Sequence, residues 1–319
     1  MCSVGRTTVT PVPARSEGGD RILEPMSGRL ELARRVEALA PAVAEAEVLG
    51  ASTRYWTYGP ESAPVLLAVH GFRGDHHGLE PFVPWLPGRR IVIPDLPGFG
   101  RSAVLPGRLH DMDAFAQWLA AFQQAVLPGA FDLLGHSFGS IVSAAAVAQG
   151  LAPRRLVLVN PIAAPALSGP SAFGTWLAVL YYRAAAALPE RAGRGLLANR
   201  AIVRGMSEVM AKTRDRRLRA WIHDQHRRYF SDFASRTSLL EAFRASTAND
   251  VSQFAPWIAA PTLLIGGDRD DITTVPAQER LATLFPEGRL QIITGVGHLV
   301  HYERPREAAE LVEAFLSAP

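Results

Sequence analysis

The pentapeptide Gly135-His136-Ser137-Phe138-Gly139 limits what this 319-residue chain can fold into more than any other feature. It follows the apolar run Phe131–Leu134 and precedes the helical run Ile141–Ala148. A serine at so sharp a strand-to-helix turn tolerates no side chains two residues before and two after it, and glycine stands at both positions. The turn lifts the hydroxyl clear of the sheet and sets it at a helix N-terminus, where free amides and the macrodipole favour negative charge.

The rest of the chain supplies the sheet that such a turn needs. Ala51–Tyr58, Val65–Val69, Arg90–Pro94, Phe131–Leu134, Arg155–Val159, Thr262–Ile265 and Leu290–Ile293 are short and β-rich. Most are continuously apolar, as strands buried on both faces are. Helical stretches separate most of them: Asp111–Val126, Phe138–Gln149, Pro276–Leu284 and Pro305–Leu316. In the last, Ala308, Leu311, Val312, Phe315 and Leu316 form one apolar stripe. The alternation predicts an α/β class with a mostly parallel, doubly wound sheet, which binds ligands at the carboxyl ends of its strands.

The alternation stops between residues 163 and 256, which read as helical throughout and are too long for a loop. They are expected to form a helical cap inserted between two parts of an α/β core, 26–162 and 257–319. Residues 1–25, rich in Pro, Gly, Ser, Thr and Arg without periodicity, are expected to be a disordered or loosely packed arm. Leu32, Val36 and Leu39 then recur at helical spacing before Pro41, predicting a helix outside the main sheet.

A serine hydroxyl needs a base to become a nucleophile. His298 lies in Gly295-Val296-Gly297-His298, just past the strand Leu290–Ile293, and so at the sheet edge to which Ser137 points. His301, at the start of the turn into the last helix, is its nearest rival. The base needs an acid to fix its tautomer and stabilise the imidazolium. Asp268, Asp270 and Asp271 follow the strand Thr262–Ile265 and compete for that role, with one of them expected to serve only as a helix cap. An oxyanion hole needs two main-chain donors. Gly71, after the strand Val65–Val69, permits a turn that aims the Phe72 N–H inward, and the second donor is the N–H of Phe138.

These motifs resemble the α/β-hydrolase superfamily in its capped serine esterase and hydrolase branch, from about Ala51 to the end of the chain. The resemblance is carried by His70-Gly71-Phe72, Asp95-Leu96-Pro97-Gly98-Phe99-Gly100-Arg101-Ser102, Gly135-His136-Ser137-Phe138-Gly139, Gly267-Asp268-Arg269-Asp270 and Gly297-His298. It implies the α/β-hydrolase fold, and it places the acid three residues after a glycine, on Asp270. The segment Asp95–Ser102 resembles a structural turn of the family. Several departures narrow the choice. The nucleophile position holds Ser137 and not the aspartate of haloalkane dehalogenases and epoxide hydrolases. Phe72 stands where dehalogenases and haloperoxidases carry tryptophan. The Gly-rich first loop and the Asn before the serine that mark C–C hydrolases are absent, as is the Gly-Gly-Ser-Trp-Gly elbow of the aminopeptidases.

In the expected cap, Ala172–Leu188 carries Phe173, Trp176, Leu177, Val179, Leu180, Tyr181 and Tyr182. This stripe reads as cap core and as the wall of an apolar acyl pocket, for which His136, Trp176, Leu180 and Tyr181 are the candidate lining residues. The run Lys212–Arg228 holds six arginines and two histidines against Asp215 and Asp224. By default it is a solvated helix face, and the sharper alternative is an entrance for anionic substrates.

Composition excludes more than it assigns. The single cysteine, Cys2, allows no intrachain disulfide and no cysteine metal site. The first twenty residues lack the apolar core of a secretory signal, and no run reaches the roughly 18 apolar residues of a membrane span. A cytoplasmic location is therefore expected. The net charge of +3 comes with no nucleic-acid motif.

The expected activity is hydrolysis of a carboxylic ester of a small, mainly apolar substrate through an acyl-enzyme, with Ser137, His298 and Asp270 as the triad and no metal or organic cofactor. Thioesterase, lactonase and C–C hydrolase activities are compatible with the same residues. A binding or sensor protein on this fold, with little turnover, is the rival from another class. Oligomeric state is not readable from the sequence.

Overall fold

The computed structural model describes residues 8–9, 27–164 and 172–318. Cys2 and nearly all of the expected N-terminal arm lie outside them, as does the side chain of Phe173. The described strands are β1 (Thr8–Val9), β2 (Ala42–Val48), β3 (Ala51–Tyr58), β4 (Val65–Val69), β5 (Arg90–Pro94), β6 (Phe131–His136), β7 (Leu156–Val159), β8 (Thr262–Gly267) and β9 (Gly288–Ile293). They form one sheet in the order β1-β9-β8-β7-β6-β4-β5-β3-β2. Every pairing from β1 to β5 is parallel, and β3 pairs antiparallel with both β5 and β2.

The central strands are buried on both faces, and alternate residues feed two cores. In β4, Leu67 and Val69 join a layer with Phe115, Leu119 and Phe122 of helix α2 (Met112–Val126) and Ile141 of helix α3 (Phe138–Ala148). Leu66 and Ala68 face the opposite layer, with Val312 and Phe315 of the last helix (Pro305–Leu316). Asp111 caps α2 by accepting from the N–H of Ala114 at 2.9 Å, so the helix begins where its cap predicts.

Strand β2 is not apparent in the sequence. Its residues AVAEAEV are mainly Ala and Glu, which are depleted in strands. It is held by continuous pairing with β3, from Ala42 opposite Thr57 to Val48 opposite Ala51, and only Val48 is buried. Thr8 and Val9, within the expected arm, pair with Arg289 and Leu290 at the other edge of the sheet. Helix α1 (Ser27–Glu37) lies outside the sheet, with Leu32 packed against Leu218, Ile222 and Tyr302.

Among the described residues, five α-helices lie between β7 and β8. They are α4 (Ala172–Ala187), α5 (Glu190–Leu197), α6 (Arg200–Met210), α7 (Arg216–Tyr229) and α8 (Arg236–Ala248). The Val251 N–H donates to the Ile162 carbonyl at 2.9 Å, so this segment leaves and rejoins the core at one point. Helices α9 (Val275–Ala282), α10 (Val300–Glu303) and α11 (Pro305–Leu316) complete the core. Strand β4 lies between β5 and β6, so the chain leaves it first to one side and then to the other. The crevice at such a reversal is where open α/β sheets bind ligands, and it places the loop after β4 beside the turn after β6.

Candidate active site

Ser137 occupies that turn with φ 53° and ψ −118°, a conformation that non-glycine residues rarely adopt. Close packing holds it there. A Cβ on Gly135 would lie 2.4 Å from the Gly139 carbonyl oxygen, and one on Gly139 would lie 2.2 Å from that of Val69. The elbow is therefore pressed against the end of β4, and neither glycine can be replaced without moving main chain.

The hydroxyl of Ser137 lies 2.7 Å from His298 Nε2, and His298 Nδ1 lies 2.8 Å from Asp270 Oδ2. A carboxylate only accepts, so Nδ1 carries the proton and Nε2 is free to accept from the serine. Burial pushes the Asp270 carboxyl up, but the His298 charge and hydrogen bond, with the N–H groups of Ile272 and Thr273, outweigh it and hold the pKa below its ordinary value. Those amides donate to Oδ1 at 2.8 and 3.2 Å, leaving Oδ2 for the histidine. The other two aspartates are engaged elsewhere: Asp268 accepts from Gly295 N–H at 2.6 Å, and Asp271 pairs with Lys212.

Asn160, which the sequence reading did not single out, completes the arrangement. Its amide donates to Asp270 Oδ2 at 3.0 Å and to the Gly297 carbonyl at 3.2 Å, while its Oδ1 accepts from Val300 N–H at 3.3 Å. It is fully buried at φ 45° and so links the acid to both sides of the His298 loop. A polar residue ending the wholly apolar strand Leu156–Val159, at the edge where sites form, was the available signal.

Gly71 brings the loop after β4 against the serine: a Cβ there would lie 3.1 Å from His136 Nδ1 and 3.3 Å from Ser137 Cβ. His70 fixes this loop. Its Nε2 accepts from Leu96 N–H at 2.9 Å, so Nδ1 carries the proton and donates to the Gly71 carbonyl at 2.8 Å. Among the described residues, the N–H groups of Phe72 and Phe138 donate to no protein acceptor. Phe138 opens α3, where the helix dipole adds to the attraction for an anion.

The candidate pocket residues divide. His136 is buried behind the triad and donates from Nε2 to the His298 carbonyl at 3.4 Å. Burial, with the neighbouring His298 charge, pushes its pKa down to about 3, so it stays neutral. Trp176 and Leu180 are 53% and 51% exposed, at odds with the expectation that they line an apolar acyl pocket. Tyr181 donates to the Leu196 carbonyl at 3.0 Å, inside the inserted segment. The neighbouring Tyr182 reaches the site instead: it stacks on Phe243 at 3.7 Å and lies 6.0 Å from Phe72. Phe99, Phe138 and Phe243 also surround the Phe72 ring, so the loop beside Ser137 carries an aromatic cluster. Two cavities, of about 440 and 400 Å³, open elsewhere, and neither has Ser137 in its wall. The rival histidine, His301, is buried with its ring 3.9 Å from His136, and burial holds its pKa well below the ordinary value.

A family model described as the alpha/beta hydrolase fold matches residues 64–305. Over 282 residues the chain is 29% identical to the dihydrolipoyllysine-residue acetyltransferase component of the acetoin cleaving system of Pseudomonas putida, covering 88% of this chain and 70% of that one. It is 27% identical over 256 residues to 2-succinyl-6-hydroxy-2,4-cyclohexadiene-1-carboxylate synthase of Salmonella typhimurium, with 77% and 91% coverage. Among solved structures, a thermophilic esterase from Thermogutta terrifontis superposes with a TM-score of 0.70 at 24% identity, over 86% of this chain and 98% of that one. No helix among the described residues is long and apolar enough to cross a membrane.

Proposed function

The chain belongs to the alpha/beta hydrolase family, and on that premise we propose that it is a serine hydrolase that cleaves a carboxylic ester of a small, mainly apolar substrate through an acyl-enzyme. One observation carries this reading: the continuous chain from Ser137 Oγ through His298 to Asp270, with spacings of 2.7 and 2.8 Å.

In the proposed cycle, Ser137 attacks the ester carbonyl carbon while its proton passes to His298 Nε2. The imidazolium is stabilised by Asp270 at Nδ1, and the N–H groups of Phe72 and Phe138 hold the oxyanion. The tetrahedral species collapses, its carbon–oxygen bond breaks, and His298 returns the proton to the leaving alcohol. Water then attacks the acyl-enzyme with His298 again as base, and the carboxylic acid leaves. The inserted helices act as a cap, and the aromatic ring of residues around Phe72 favours an apolar acyl group. The family relatives include a lipase from a Moraxella species, which is consistent with an acyl substrate.

A panel of p-nitrophenyl esters of graded chain length, with a thioester and a lactone alongside, tests the proposal. The expected result is turnover with a preference for medium-length or aromatic acyl groups, lost on the order of 10⁶-fold in Ser137→Ala. Binding of esters without turnover would favour a sensor, and a Ser137→Ala variant retaining a tenth of the rate would sink the assignment.

A further inference from the structure

The inserted segment carries a charge that the rest of the chain does not. Residues 163–256 hold 14 Lys and Arg against 7 Asp and Glu, while the remainder holds 19 against 23. Part of that excess converges on one concavity. Between α6 and α7 a cavity of about 440 Å³ is walled by Arg200, Arg204, Arg216, Arg219 and Arg227. This volume lies within the range of about 300–1,000 Å³ typical of small-molecule pockets.

Two carboxylates oppose these five guanidinium groups. Glu208 accepts from Arg204 at 2.6 Å and lies 3.8 Å from Arg219. Asp224, in the wall itself, is shared between Arg227 and, at 2.7 Å, Arg228. Among the described residues, Arg200 and Arg216 have no carboxylate within ion-pair distance. The remaining wall residue able to titrate, His223, adds no charge. Burial, together with the nearby Arg204, lowers its pKa, and its Nδ1 is occupied by Ser207 Oγ at 2.6 Å. The wall therefore has an uncompensated positive charge. The forks of Arg204 and Arg219 are taken up by Glu208 and the Thr213 carbonyl, and those of Arg200 and Arg216 are the ones placed to match phosphate oxygens two at a time. An extended nucleic-acid strand would need a track of such groups, whereas two adjacent helices enclosing one concavity fit a compact anion.

We propose that this cavity binds a small phosphorylated group carrying at least two negative charges, at a site that shares no wall residue with the Ser137 centre. The inference is independent of the ester-hydrolase reading. The phosphate belongs either to a soluble metabolite or to a lipid headgroup, and the test separates the two.

Calorimetric titration with sodium pyrophosphate is expected to show saturable binding of one equivalent. The double variant Arg200→Gln/Arg216→Gln should weaken it at least tenfold. The control Arg191→Gln/Arg217→Gln removes two exposed arginines outside the wall and should change it less than twofold. Thermal unfolding of each variant reports whether the fold persists, and the single variants Arg200→Gln and Arg216→Gln serve if the double does not fold. Cosedimentation at pH 8 with vesicles containing phosphatidic acid, whose phosphomonoester can carry two negative charges, that pyrophosphate reverses and the wall variant abolishes identifies a lipid headgroup. Pyrophosphate binding without cosedimentation identifies a soluble ligand. Absence of saturable binding overturns the proposal, and so does an equal loss in the control, which would mean diffuse surface charge.

Discussion

Arg73 Nη1 donates to the Tyr182 hydroxyl at 3.1 Å, and this bond ties the residue after Phe72 to helix α4. The same guanidinium donates to the Leu197 carbonyl at 2.6 Å and to the Phe230 carbonyl at 3.1 Å. Arg73 is 2% exposed at φ 64°, and so it holds the ends of α5 and α7 and the body of α4 from the loop that presents the Phe72 amide.

Arg73→Met keeps much of the side-chain bulk and removes every donor. Three acceptors lose their partner, and the two buried ones, the Tyr182 hydroxyl and the Leu197 carbonyl, are worth about 1–3 kcal/mol each. The expected outcome is a lower unfolding temperature and a fall of at least tenfold in kcat, because Phe72 is no longer fixed. Steady-state kinetics and thermal unfolding measured together check this. A lower unfolding temperature with unchanged kcat would reduce Arg73 to a structural clamp.

Asp270→Asn should lower kcat about 10⁴-fold, since an amide at that position no longer enforces the Nδ1–H tautomer of His298. Asp268→Asn and Asp271→Asn should stay within about tenfold of wild type, because each carboxylate pairs away from the imidazole. Asn160→Ala should fall between them, at about 10–100-fold, for the loss of one hydrogen bond to a charged acceptor. Kinetics of the four variants rank them, and a larger defect in Asp268→Asn than in Asp270→Asn would overturn the assignment of the acid.

Much of the fold could be read directly from the sequence. The strands Val65–Val69 and Arg90–Pro94 and the helix Pro305–Leu316 begin and end where their apolar runs do. Buried parallel strands and amphipathic helices leave this imprint because hydrophobic periodicity is the cause of their burial. Strand β2 leaves little, since pairing to β3 stabilises it more than its own side chains do. Ser137 and His298 were recognisable because glycines surround them. Arg73 was not, since a loop arginine ordinarily faces water and only the inserted helices bury this one. The exposure of Trp176 and Leu180 has the converse origin: a near-continuous apolar helix does not announce which face it buries.

Acid should destabilise the protein through its buried histidines. Burial, reinforced by a neighbouring histidine charge, pushes His136 and His226 down to about 3, against 6.5 unfolded. Below pH 6.5 the unfolded chain binds protons that the native state refuses, so stability falls as pH falls toward 3. Each such histidine contributes a slope of about 1.4 kcal/mol per pH unit. Urea unfolding at pH 7, 6, 5 and 4 measures this, and His226→Gln should flatten the slope by about one proton. An unchanged slope would show that His226 titrates normally.

Gly139→Ala forces a Cβ to within 2.2 Å of the Val69 carbonyl oxygen. Overpacking of this kind costs about 1–3 kcal/mol and here must displace the elbow itself. The variant should lose both stability and reaction with a fluorophosphonate probe. Full labelling at the wild-type rate would mean that the turn relaxes without moving Ser137.

The bond between Val251 and Ile162 has a consequence for how this protein could be re-engineered. The 88 residues from Ala163 to Asp250 start and finish side by side, so they impose almost no displacement on the path of the core. Doubling the length of such an excursion costs only about 0.6 kcal/mol in closure entropy. The core is therefore a socket largely indifferent to how long its insert is. Grafting a helical segment of a different length between Ile162 and Val251 is a route to changed substrate range with β7 and β8 left in register, provided the graft supplies acceptors for Arg73.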